Sequence, residues 1–325
     1  MNYLFFDIEC ANCDNGMGKI CSFGYVLCDS SFNIIEKKDL LINPDAKFSY
    51  GVFSKKYITL GYPQSEFLKQ PKFDEMYPLI REILTKPNQI VLGHAVDNDV
   101  NFLLGDCDRY NLPIIEFDFF DSQELYRVYT NSALHKNLSA ICQELDIAVG
   151  NAHRSDDDAE MTMQVVKTMC KKQGLELAEL LKKYPTSNHK MSHLIKKHKE
   201  RKQYFLFKQY LKAAKRQNDK DNTLEGKVFC FSRKVESLNY GKAAKLIQKV
   251  IDLGGSYTTD VTTALYFVRG KGGCDRLTKA LKDSNISIIT LGAFAKMLNT
   301  NYATLAPLNM EKYLAKHKKT KKSHK

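Results

Sequence analysis

The chain has 325 residues, 43% of them hydrophobic, and a formal net charge of +12, which gives enough apolar material for packed cores and more length than one average domain usually takes. The longest apolar runs, Tyr3–Phe6 and Ile114–Phe120, are far too short to cross a bilayer, and the N-terminus has neither the basic start nor the long apolar stretch of a signal peptide. Nine cysteines in no regular framework point to reduced thiols, so the expectation is a two-domain cytoplasmic protein with no membrane role.

The charge is unevenly divided. Residues 1–170 hold 15 Lys+Arg against 25 Asp+Glu, a net of −10, whereas residues 182–222 hold 13 against 3, a net of +10. Residues 223–310 hold 12 against 6, and 311–325 hold 7 against 1. A basic second half suggests a polyanionic partner, with a solvated basic helix and a frayed tail as the plainer alternative. An acidic first half needs another explanation, and metal ions supply one.

In chain order, three extended segments come first, at about Tyr3–Ile8, Ile20–Leu27 and Asn33–Ile42, rich in Phe, Tyr, Val and Ile. A helix is expected over about Asp74–Thr85, then a strand at Ile90–Leu92. Helical patterns recur at 97–109, 121–129, 137–145 and 156–172, with a strand near Ile114–Phe119. Strands followed by mixed strands and helices predict a layered α/β domain over 1–175. Residues 176–222 read as a basic helical linker, with Gln217–Asn222 its polar end. Tyr204, Phe205, Phe207 and Tyr210 lie among its lysines, either to stack on unpaired bases or to dock the helix on a neighbour. A second strand-and-helix unit covers 223–302, and a basic tail at 303–325 is expected to be disordered.

Three acidic segments stand out in the first domain. In Phe5-Phe6-Asp7-Ile8-Glu9, strand alternation puts Asp7 and Glu9 on one face and Leu4, Phe6 and Ile8 on the other. Two carboxylates in an apolar strand are costly without a partner, and a hard divalent cation would remove the cost; alone, the pair reads equally as a solvated strand end. Next, Gly93-His94-Ala95-Val96-Asp97-Asn98-Asp99 ends a strand and opens a helix, with Asp97 as a possible N-cap and Asp99 in the first turn. Last, His153-Arg154-Ser155-Asp156-Asp157-Asp158-Ala159-Glu160 precedes an apolar helix. Its four acids would repel one another unless solvated or neutralised. His153 is close enough in sequence to share a site with Asp158 and is suited to take a proton near neutral pH. Taken together, four acids and one base are the equipment for two-metal phosphodiester hydrolysis.

On these three segments, residues 1–172 resemble the DEDDh exonuclease superfamily, the group containing the proofreading epsilon subunit of bacterial DNA polymerase III. The resemblance implies a ribonuclease H-like mixed sheet and 3′→5′ exonuclease activity with two divalent ions, Mg²⁺ or Mn²⁺. It assigns Asp7, Glu9, Asp99 and Asp158 to the metals and His153 as general base, and it puts Cys10, Ala11, Asn12 and His94 beside the terminal nucleotide. The second segment departs from the family at Ala95 and Asn98, where Asn and Phe are usual, and the third has Ser155 for the usual Ala. The implied substrate is DNA, at single-stranded or frayed 3′ ends, in repair or proofreading. The alternatives are RNA 3′ ends and a non-cleaving DNA-binding protein.

The second unit reads as a strand at Gly226–Ser232, a helix over 241–252 stopped by Gly254-Gly255, a strand at Ala264–Val268, a helix to Lys282, a strand at Ile286–Ile289 and a last helix through Phe294 and Met297. This order resembles a BRCT domain, with Phe294 in place of the usual Trp. The resemblance implies a module for a protein partner or a DNA end. An anion would then be held by Ser232, Arg276 and Lys279, whose plainer reading is scattered surface chemistry. Cys10, Cys13, Cys21 and Cys28 give a weak zinc pattern, because the second pair falls within a predicted strand.

Overall fold

The computed structural model describes residues 1–14, 17–49, 60–149, 153–186, 190–217 and 222–320, in two compact units, Met1–His198 and Lys199–Lys325. In the first unit the strands are β1 (Asn2–Asp14), β2 (Met17–Cys28), β3 (Ile34–Leu41), β4 (Gln89–Gly93) and β5 (Phe120–Asp121), in sheet order β3-β2-β1-β4-β5. β1 is central, antiparallel to β2 and parallel to β4. The helices are α1 (Gln64–Leu68), α2 (Phe73–Thr85), α3 (Asp97–Arg109), α4 (Ser122–Tyr129), α5 (Leu138–Glu144), α6 (Ser155–Gln173), α7 (Leu177–Lys183) and α8 (Met191–Ala213).

Both faces of β1 are buried, and its alternation divides the core. Leu4, Phe6 and Ile8 pack with Phe73, Ile80, Val100 and Leu103 from α2 and α3. Tyr3 and Phe5 pack on the opposite face with Ile141, Met163 and Val166 from α5 and α6. Helices therefore cover both sides of the mixed sheet, and β1 is solvent-shielded along most of its length.

Three sequence expectations change. Ile114–Phe119 forms no strand. Ile115, Phe117 and Phe119 are buried in the core, but only Phe120 and Asp121 pair with β4. Extended chain can fill a core without joining the ladder, and its alternation looks the same in sequence. Asp97 is the first residue of α3 rather than its N-cap, which is Val96. The boundary near 175 moves to His198, because Leu177 and Leu180 of α7 and Leu194 of α8 belong to the first unit's cores.

The linker expected over 176–222 is thus packed structure rather than a connector. In the second unit, residues of α8 from Lys199 onward put Phe207 and Tyr210 into the core. The Tyr210 hydroxyl donates to Ala244 O at 3.1 Å and lies 3.0 Å from Gln248 Oε1. For these two aromatics docking is the outcome, whereas Tyr204 remains 40% exposed. Residues 187–189 and 218–221 lie outside the described residues.

The second unit has an all-parallel sheet of β6 (Val228–Phe231), β7 (Ser256–Tyr257), β8 (Tyr266–Arg269) and β9 (Ser287–Thr290), in order β7-β6-β8-β9. Its further helices are α9 (Arg233–Leu238), α10 (Tyr240–Asp252), α11 (Asp275–Ala280), α12 (Leu291–Met297) and α13 (Met310–Thr320). Over 310–320, α13 corrects the expectation of a disordered tail, with Met310, Tyr313 and Leu314 on one helical face buried; residues 321–325 lie outside the described residues. Among the described residues, no helix is long and apolar enough to cross a membrane.

Candidate active site

The site forms where β4 stops accompanying β1. The parallel pairing ends at Phe5 with Leu92, and α3 begins shortly after. On that edge the main-chain N–H of Ile8 donates to Asp99 Oδ1 at 3.1 Å, so a side chain takes the place a strand would have had. Of the two acids at the start of α3, Asp99 therefore joins Asp7 and Glu9. Asp97 instead lines a neighbouring cleft of about 430 Å³ with Asn98, Gln123, Arg127 and His135.

The other wall is the start of α6. Glu9 pairs with Ser22 and Asp7 with Gly24 across β1 and β2. A Cβ on Gly24 would stand 2.1 Å from the Asp156 nitrogen, so glycine lets α6 approach the sheet closely. Oxygen or nitrogen atoms of Glu9, His153 and Asp158 come within 4.8 Å of one another. His153 Nδ1 lies 3.4 Å from Glu9 Oε1, and the His153 main-chain N–H donates to Asp158 Oδ2 at 3.2 Å. His153 has φ of +69°, a costly conformation for a residue with a Cβ and one typical of constrained functional turns.

The acidic run of α6 is sorted by its partners. Lys37 Nζ of β3 lies 2.6 Å from Asp157, 2.7 Å from Glu160 and 3.6 Å from Asp156, and Arg154 Nε lies 3.3 Å from Asp156. Only Asp158 turns to Glu9. Ser155 is buried, its Oγ 2.6 Å from Ser22 Oγ, and Ser22 in turn bonds Asp39. Lys37, Ser22 and Asp39 were not anticipated, since nothing local in β2 or β3 announces a partner more than a hundred residues away.

Electrostatics set three of the site carboxylates apart. Burial, then Asp99, Glu9, Asp158 and Asp39, push the Asp7 carboxyl well above the ordinary carboxylate range. Burial raises Asp99 as well, against the relief given by the Ile8 N–H, and Glu9 adds to the rise. Burial and then Glu9 bring Asp158 up to about 6. His153 is raised, first through its hydrogen bond with Glu9. Among the described residues the nearby cations Lys37 and Arg154 are engaged by Asp156, Asp157 and Glu160, so the donor set suits a hard divalent cation.

The residues expected to line a terminal nucleotide take different positions. Ala11 is fully buried, and the Asn12 amide donates to Lys47 O at 2.8 Å, so this segment offers backbone rather than side chains. His94 is half-buried with Nδ1 3.0 Å from Ser122 Oγ, and burial lowers it to about 4. Cys21 and Cys28 are buried in β2, and Cys21 Sγ donates to Glu9 O at 3.4 Å.

In the second unit the expected anion site is not assembled. Ser232 Oγ accepts from the N–H groups of Val235 and Gly270. Arg276 Nη1 donates to Phe231 O at 2.8 Å and to Glu236 Oε1 at 2.7 Å. Both are committed to internal bonds, and only Lys279 is exposed.

Comparison with known proteins bears on the first unit. PolC-type DNA polymerase III of Clostridium perfringens (strain 13 / Type A) is 25% identical over 178 residues, 54% of this chain and 12% of its own length. Exodeoxyribonuclease I of Buchnera aphidicola subsp. Schizaphis graminum is 25% identical over 224 residues, 58% of this chain and 43% of its own. A solved structure of exonuclease I aligns at 17% identity with a TM-score of 0.47, over 56% of this chain and 42% of that one. This chain thus spans less than half the length of each of these proteins. The RNase_T family model, described as Exonuclease, matches residues 4–166, and the chain belongs to that exonuclease family.

Proposed function

We propose that the first unit is a DEDDh-type 3′→5′ exonuclease that shortens DNA from single-stranded or frayed 3′ ends and releases nucleoside 5′-monophosphates. One observation carries this reading: Glu9, His153 and Asp158 converge within 4.8 Å beside a strand whose neighbouring acid, Asp7, is raised by burial and by Asp99. Asp7, Glu9, Asp99 and Asp158 would hold two Mg²⁺ or Mn²⁺ ions, which supply a nucleophilic water and offset charge at the scissile phosphate. His153 takes the proton of the attacking water, oriented by Glu9 on its Nδ1. The backbone at Cys10-Ala11-Asn12 borders the terminal sugar. His94, neutral near pH 7, offers a ring edge rather than a charge. DNA is favoured because the curated relatives are a DNA polymerase and an exodeoxyribonuclease.

The second unit is read as BRCT-like, on its parallel order β7-β6-β8-β9, the Gly254-Gly255 turn after α10 and Phe294 buried in its core. Its role is to engage a protein partner or a DNA end. The test of the enzyme is end-labelled single- and double-stranded DNA and RNA incubated with Mg²⁺, Mn²⁺ or EDTA. Stepwise loss of 3′ nucleotides from DNA that stops with EDTA and with Asp7→Asn is expected. Activity surviving EDTA, or cleavage confined to RNA, would overturn the proposal.

A further inference from the structure

We infer that Tyr62 and Arg154 form a positioning clamp for the base His153, an inference that rests on the exonuclease reading above. His153 sits at a turn with positive φ, a conformation that persists only where neighbouring contacts over-determine it. Besides Glu9 and Asp158, such contacts come from the segment Leu60–Tyr62, which the sequence motifs do not include. The Gly61 N–H donates to the His153 carbonyl at 3.1 Å. A Cβ on Gly61 would stand 2.1 Å from Arg154 Cγ, so this backbone is pressed directly against the residue following the base.

The Arg154 guanidinium carbon lies 4.9 Å from the centre of the Tyr62 ring, a cation–π contact, and its Nε and Nη2 donate to the Asp156 carboxylate at 3.3 and 3.4 Å. Tyr62 is itself fixed. Its ring meets Phe67 edge-on at 6.0 Å between centroids, and it packs against a cluster of Ala11, Cys21, Leu60 and Phe67. Ala11 belongs to β1, two residues beyond Glu9. The clamp therefore references the base to the strand that carries Asp7 and Glu9, and through Asp156 to the helix that carries Asp158. Neither residue touches the reacting atoms; each acts through His153.

Misplacing a catalytic group by about 1 Å costs on the order of 10²-fold in rate, so Tyr62→Ala is expected to lower kcat by roughly 10- to 100-fold. KM for a single-stranded oligonucleotide and the half-saturating Mn²⁺ concentration should stay within about twofold, since binding groups are untouched. Tyr62→Phe, which keeps the ring under Arg154, should retain most of the wild-type kcat. The decisive comparison is a double-mutant cycle: in a His153→Ala background, Tyr62→Ala should cost nothing further. An equal loss in both backgrounds, or a Tyr62→Phe enzyme as slow as Tyr62→Ala, would overturn the clamp. A His153→Ala enzyme as fast as wild type would instead overturn the exonuclease mechanism on which the clamp rests.

Discussion

Asp99 accepts the main-chain N–H of Ile8 at 3.1 Å, which fixes a carboxylate from α3 at the one residue of β1 lying between Asp7 and Glu9. The bond serves the backbone and the site at once, and the two roles separate under substitution. Asp99→Asn keeps an oxygen to accept the Ile8 N–H but removes a charge from a buried acidic cluster. Activity with Mg²⁺ should fall by about 10²- to 10³-fold, the scale of metal-borne transition-state stabilisation. The melting temperature in EDTA should hold or rise. A variant that melts well below wild type in EDTA would mean that the carboxylate is structural rather than metal-binding.

The same cluster makes stability depend on pH in an unusual direction. Asp7, Asp99 and Asp158 bind protons more tightly folded than unfolded, Asp158 with a value of about 6. Their neutral forms favour the fold, so stability is lost as pH rises through the folded values. His153, also raised, acts with the same sign. Glu124, lowered to about 2 by its hydrogen bonds to Arg127 and by His135, does not oppose this trend between pH 5.5 and 8, whereas His94, lowered to about 4 by burial, opposes it in the lower part of that window and offsets part of what the three carboxyls and His153 contribute. Metal-free protein should therefore melt at a higher temperature at pH 5.5 than at pH 8, and millimolar Mg²⁺ or Mn²⁺ should raise the pH 8 value towards it. Calorimetry in EDTA with the opposite order would show that these carboxylates are not held in one repelling cluster.

Asp7 and Glu9 were legible because a strand enforces a period of two and few sequences place two acids in an apolar run. The acidic opening of α6 was equally plain. The choice of Asp158 among its acids came only from the motif resemblance; the physical sorting, in which Lys37 on β3 takes up Asp157 and Glu160, was not legible because Lys37 lies 120 residues from Asp157. Ile114–Phe119 misled because apolar alternation records burial, and burial here occurs without a ladder. α13 was missed because lysines are common in its composition, while among the described residues the buried ones are Met310, Tyr313 and Leu314.

Lys37→Met tests that division of the acids. It leaves Asp156, Asp157 and Glu160 facing one another with only Arg154 nearby, and a charged hydrogen-bonding site of this exposure is worth about 1–2 kcal/mol. The first unit's melting transition should drop by several degrees, and the drop should shrink in 1 M salt, where the Debye length is about 3 Å. A salt-independent drop would assign the loss to packing of the lysine stem instead.

Arg276 gives the corresponding test in the second unit, where a functional anion site and an internal ion pair predict opposite results. Glu236 is buried, accepts the Tyr257 hydroxyl at 2.6 Å and lies 2.7 Å from Arg276. Removing the guanidinium strands that carboxylate and frees the Phe231 carbonyl that Arg276 also bonds. Breaking one side of such a pair costs about 2–4 kcal/mol, so Arg276→Met should lower the melting of the second unit by on the order of 10 °C. Glu236→Gln added to Arg276→Met should recover part of the loss, because the orphaned charge is gone while Gln still accepts from Tyr257. If Arg276→Met instead melts like wild type and weakens binding of a DNA end or a phosphopeptide, Arg276 is a ligand-binding residue and the pair with Glu236 is incidental.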